Sequence, residues 1–209
     1  MNLSASETRV LGCLLEKQQT TPDAYPLSLN ALRQACNQST NRDPIVDYDE
    51  AVVRDALHRL ERRRLTRLAS GAGSRAAKYR HLLEESLPMD PQERALVCVL
   101  MLRGAQTPGE LKQRTERIHA FGDLEAVQET LTRLIERGLV ERMERRPGQK
   151  EERYSQLLER GADEVDGGTD EDVDGTPRVA STLDELQERV GRLEREVGQL
   201  RSGMRDPSL

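Results

Sequence analysis

Apolar residues recur along the first 160 positions with two alternating periods. Val10, Leu11, Leu14 and Leu15 fall on one helical face, and Ser4 with Glu7 has the spacing of a capping box ahead of them. A shorter helix is predicted from Ser28 to about Cys36. A third, from Asp49 to about Arg63, sets Val53, Ala56, Leu57 and Leu60 on one face. Beyond it the period drops to that of strands: Leu65-Thr66-Arg67-Leu68, a turn-rich tip at 70–74, and a return strand through Tyr79.

The same order returns about 74 to 86 residues later, a span suited to a small domain. Arg9, Leu11, Cys13 and Leu15 reappear as Arg94, Leu96, Cys98 and Leu100, behind the cap Asp90-Pro91 with Glu93. Thr107-Pro108-Gly109-Glu110 starts the second helix of this copy, which runs to about Arg117. The third runs from Asp123 to Arg137 with Val127, Leu131 and Leu134, and Gly138 is its natural C-cap. Strands follow at 139–142 and through Tyr154. Three helices followed by a β-hairpin is the winged-helix order. The expected class is therefore mainly α with small β-hairpins (α+β): two tandem winged-helix domains, 1–86 and 87–160. Arg64 stands where the second copy has Gly138, and a side chain there is strained if φ is positive.

The C-terminal fifth has a different grammar. Residues 161–177 carry seven acids and no base, so 161–180 reads as an acidic, self-repelling disordered linker. Leu183, Leu186, Val190, Leu193, Val197 and Leu200 then step by three and four, a heptad seam over 181–203, before a disordered tail at 204–209. Branched a positions with Leu at d favour a parallel dimer, and Arg189 with Glu194 and Glu196 with Arg201 are complementary across it. A homodimer is expected. A helix docked on its own protein is the alternative left open.

Several segments carry a resemblance. Pro26-Leu27-Ser28-Leu29-Asn30, the polar run Ala35-Cys36-Asn37-Gln38-Ser39-Thr40-Asn41-Arg42-Asp43-Pro44, the tip 70–75 with Lys78-Tyr79, and the stretch 102–111 resemble the signature of the bacterial YceH family. The similarity covers roughly residues 3–160. It implies a tandem winged-helix architecture and brings no biochemical activity with it.

Composition narrows the chemistry. About a third of the chain is apolar, another third is charged and aromatic residues are nearly absent, which suits small Leu/Val cores better than a large enzyme core. The longest apolar run, 95–102, is far below the roughly 20 residues of a membrane helix, and the N-terminus lacks a signal-peptide pattern. Three cysteines without a CxxC pair fit a reducing cytoplasm, and three scattered histidines offer no metal-ligand spacing. No catalytic residue, metal or cofactor is expected.

The net charge of −5 hides a division. Residues 51–81 hold nine Arg/Lys against Asp55 and Glu61, so attraction to a polyanion must be local. Arg54, Arg59, Arg62 and Arg63 on the third helix, with Arg75, Lys78 and Arg80 in the wing, are the candidate contacts to duplex DNA. Acids at the head of that helix, Asp47, Asp49, Glu50 and Asp55, oppose this reading. The polar run offers a second candidate, with Asn37, Gln38, Asn41 and Arg42 as a recognition surface for a ligand or partner. Its blander role is helix capping and loop support, with Arg42 paired to the adjacent Asp43. The expected function is that of a non-enzymatic, dimeric DNA-binding or accessory factor acting through the first domain. The alternative is a protein–protein adaptor that does not touch DNA.

Overall fold

The computed structural model describes residues 1–69, 77–143 and 151–159. The first copy comprises α1 (Ala5–Thr20), a 3-10 turn (Pro22–Ala24), β1 (Leu27–Ser28), α2 (Leu29–Cys36), α3 (Glu50–Arg62), β2 (Thr66–Leu68) and β3 (Lys78–His81). A one-turn helix, α4 (Leu83–Ser86), leads into the second copy: α5 (Pro91–Arg103), α6 (Pro108–Thr115), α7 (Leu124–Glu136), β4 (Val140–Met143) and β5 (Arg153–Gln156). The class is α with small antiparallel sheets, and the order helix, helix, helix, hairpin occurs twice. The acidic linker, the heptad seam and both hairpin tips lie outside the described residues.

Local chemistry accounts for the helix starts. Ser4 with Glu7, Asp90 with Glu93 and Thr107 with Glu110 each form a complete capping box. Ser28, Asp49 and Asp123 cap α2, α3 and α7 by accepting a backbone N–H three residues on. The boxes also correct one register. Ser4 corresponds to Asp90 and Glu7 to Glu93, an offset of 86, so Gly12 is the counterpart of Cys98 and Cys13 of Val99. The alternation of Leu, Cys and Leu hides a one-residue slip that the caps expose.

A third strand was not legible. β1 pairs with β3, with Leu27 opposite Tyr79, so the first sheet has the order β1-β3-β2. The second copy reduces this pairing to a single bridge between Gln106 and Tyr154. Strands of one or two residues have no period to detect.

The two copies pack into one unit, Met1–Glu164, through their first helices. The pattern predicts one apolar face on each of these helices, yet α5 is buried all round: Val97, Val99 and Met101 are as enclosed as Leu96 and Leu100. The extra faces meet α1. At Gly12 the helices approach so closely that a Cβ would lie 3.0 Å from Leu102 Cδ2 and 3.2 Å from Met101 Cβ. Cys98 Sγ sits 3.7 Å from the Gly12 carbonyl oxygen. A further link ties the ends together, since Leu3 N–H donates to Leu158 O at 2.9 Å.

His81 closes β3 against α1. Its ring is buried, Nδ1 accepts from Leu83 N–H at 3.3 Å, and Nε2 lies 2.6 Å from Gln18 Oε1. That set suits a neutral ring with the proton on Nε2. Burial pushes its pKa down from 6.5 to about 4.

Two outcomes follow. Gly12→Val should cost about 1–3 kcal/mol by overpacking the α1–α5 contact, measured as a shift of the urea midpoint. The unfolded chain takes up a proton on His81 before the folded one does, so stability falls as pH drops from 6.5 to about 4. That loss, up to roughly 3 kcal/mol, should be absent from the His81→Gln profile when both proteins are unfolded in urea across this window.

Candidate nucleic-acid interface

α3 buries Val53, Ala56, Leu57 and Leu60, which leaves Arg54, Asp55, His58, Arg59 and Arg62 on its solvent face. Three of the four acids that oppose a polyanion here have structural occupations. Asp49 accepts from Val52 N–H at 2.8 Å, Glu50 pairs with Arg54 at 2.6 Å, and Asp47 accepts from Asn37 Nδ2 at 3.4 Å. Arg59 and Arg62 have no ion-pair or hydrogen-bond partner for their guanidinium groups among the described residues, and Asp55 is similarly unengaged.

The hairpin continues the positive strip. Arg67 on β2 stands directly opposite Arg80 on β3. Like charges facing across a strand pair are destabilising. Arg80 is relieved by Glu85 at 3.1 Å, although its buried Nε has no partner, while Arg67 has no ion pair among the described residues. Lys78 is exposed at the start of β3, and Arg75 lies outside the described residues. Between helix and hairpin, Arg64 holds φ at 57°, matching the 64° of Gly138. The expected strain is therefore present, and in the left-handed region it costs an ordinary residue about 1–2 kcal/mol.

Arg63 is turned to a different task. Its Nη1 donates to Asn2 O at 2.7 Å and its Nε lies 3.8 Å from Glu7. The second copy repeats the clamp: Arg137 donates to Pro88 O at 2.6 Å and to Glu93 at 2.5 Å. In both copies the arginine after the third helix holds the capping-box glutamate of the first. Arg63 is thus drawn into the fold, while Arg54 and Arg80 each pair with an exposed glutamate.

The second copy lacks the strip. Arg133, counterpart of Arg59, pairs with Asp90 at 3.2 Å, and Glu136 and Glu141 replace Arg62 and Arg67. Its third helix instead exposes Leu124 and Ile135 among acids.

The polar loop between α2 and α3 is mostly exposed, but its arginine turns inward. Arg42 is buried, and all five of its N–H groups have acceptors: Ala35 O, Asn41 O, Gln38 Oε1 and both carboxylate oxygens of Glu16. The expected pairing with Asp43 gives way to this one with Glu16, at 2.6 Å, because a bidentate carboxylate answers the guanidinium fork inside the protein. Asn37 exchanges two bonds with the Tyr48 backbone, 2.8 and 2.9 Å long, which closes the loop. Asn41, at φ 60°, accepts from Arg103 of α5, and Asp43 N–H donates to Leu102 O at 2.9 Å. The loop thus joins α1, α2 and α5. Sequence reasoning gave no role to Glu16 or Arg103. Glu16 lies 26 residues from Arg42, and no local spacing announces such a pair.

Among the described residues, no group of three His, Cys, Asp or Glu is placed to hold a metal, and no helix is long and apolar enough to cross a membrane. Cys13, Cys36 and Cys98 are buried free thiols.

A family model described as "Protein of unknown function, DUF480" matches residues 3–149. The chain belongs to this family. It is 55% identical over 159 residues to a UPF0502 protein of Pelobacter propionicus, covering 75% of this chain and 72% of that one. A UPF0502 protein of Solibacter usitatus is 52% identical over 155 residues, covering 74% and 75%. One from a Shewanella species is 48% identical over 163 residues, covering 75% and 74%. The match spans the first repeat with its polar loop and α3 strip, and the second repeat as far as β4.

Arg64→Gly should release the backbone strain and stabilise the fold by about 1 kcal/mol in thermal or urea unfolding.

Proposed function

We propose that this protein is a tandem winged-helix factor that binds duplex DNA through its first repeat, non-enzymatically and in the cytoplasm. On this reading UPF0502 and YceH are two names for one family. The observation that carries it is the row of Arg59, Arg62, Arg64 and Arg67, none of which has an ion-pair partner among the described residues. A charged row left uncompensated on one copy, and neutralised or reversed on the other, fits selection for an anionic partner rather than for the fold. In such a pose α3 enters the major groove and the hairpin tip, with Arg75 and Lys78, reaches the neighbouring backbone. The seam Leu183, Leu186, Val190, Leu193, Val197 and Leu200 would pair two chains, so that two weak surfaces engage one DNA with the gain of high effective concentration.

A second reading, a protein adaptor, is favoured by α7. Its exposed Leu124 and Ile135 with Glu125, Glu129 and Glu136 suit a protein surface better than a phosphate backbone.

Fluorescence anisotropy with a labelled 30-base-pair duplex across a salt series tests the first reading. Arg59→Glu/Arg62→Glu/Arg67→Glu should abolish binding at moderate salt, and the neutral Arg→Gln triple should lower the log–log salt slope by about 3. No binding by wild type at low salt, together with a nuclease-resistant protein complex lost on Leu124→Asp/Ile135→Asp, would establish the adaptor instead.

A further inference from the structure

A cleft of about 160 Å3 opens where the C-terminal ends of α1, α5 and α6 meet the polar loop. Lys17 and Gln38 of the first copy line it, together with Arg103, Arg114 and Arg117 of the second. The buried Arg42 lies just behind. Two carboxylates answer these five cations among the described residues. Glu16 is committed to Arg42 and stands 3.7 Å from Lys17, and Glu110 stands 3.3 Å from Arg114.

Three helix ends converge here, and each contributes about half a negative charge. That leaves positive charge in excess. Arg117 has no ion-pair partner among the described residues, and the one hydrogen bond of the Arg103 side chain goes to the neutral amide of Asn41. Burial, with Arg114 and Arg42 nearby, holds the Arg103 pKa below its ordinary value. Gln38 spends its carbonyl oxygen on Arg42 at 2.9 Å, and its amide N–H groups have no acceptor among the described residues.

We propose that this cleft binds a small phosphate-bearing anion, held across the seam between the two repeats. Arg103 and Arg117 supply planar forks for phosphate oxygens, Lys17 adds a point charge and Gln38 a neutral donor. Since a water molecule takes about 30 Å3 of liquid, the volume has room for one or two phosphate groups. The site shares no residue with the α3 strip, so it stands or falls independently of DNA binding there.

Isothermal calorimetry of the full chain with sodium pyrophosphate, at ionic strength fixed by sodium chloride, tests this. Saturable binding is expected, weaker with sulfate, and reduced about tenfold or more in Arg103→Gln/Arg117→Gln, which removes two charge-assisted contacts. Arg59→Gln/Arg62→Gln should leave it within about twofold. Absence of saturable binding, or equal loss in both variants, would overturn the proposal. So would a fall in DNA affinity in the cleft variant without any pyrophosphate binding, because the cleft would then be a nucleic-acid backbone contact. If the double variant fails to fold, Arg117→Gln alone changes only an exposed side chain and should still weaken pyrophosphate binding.

Discussion

The close approach of α1 and α5 at Gly12 is the constraint on which the rest of the structure depends. A single repeat of about 75 residues offers a thin core, because small domains bury a modest fraction of their surface. Here the first helix of each copy completes the core of the other, and both become apolar around most of their circumference. The polar loop makes sense in this light. Arg42, Asn41 and Asp43 bind Glu16 on α1 and the last turn of α5, so they fasten the crossing from its end. Burying a guanidinium is costly unless every donor is matched, and here each one is.

With the interior shared, the surfaces of the two copies were free to diverge. What both retain is mechanical: the capping boxes, the Arg63–Glu7 and Arg137–Glu93 clamps, and the left-handed residue after the third helix. What differs is charge. Arg62, Arg64 and Arg67 face Glu136, Gly138 and Glu141 at the matching positions. The first copy tolerates a strained arginine and a like-charged cross-strand pair that the second avoids. Strain persists where the surroundings overdetermine it, and it concentrates at working surfaces.

Most of the fold was legible because it is written locally. Caps, helical periodicity and the change of period after α3 and α7 place these elements within a residue or two of their observed ends. What escaped was written at long range. The embrace of α1 and α5 leaves a visible trace in the all-round apolar run at 95–102, but a run of that kind does not name its partner. The one-residue slip between Cys13 and Cys98 arises because similar side chains recur along both helices. Of the candidate strip, the unpaired state of Arg59 and Arg62 depends on where Glu50 and Asp55 point. The inward turn of Arg42 depends on a glutamate of α1, 26 residues away.

Gly12 and Cys98 are equivalent residues of the two copies, and they touch. The two copies therefore meet through the same stretch of their first helices, the kind of shared patch that an isologous interface uses. Translational arrays such as solenoids always leave a free end on which another copy can stack. Here the first helix of each copy is covered by the first helix of the other. The duplication thus joins into one chain a helix–helix contact that two separate single repeats would have to form between molecules.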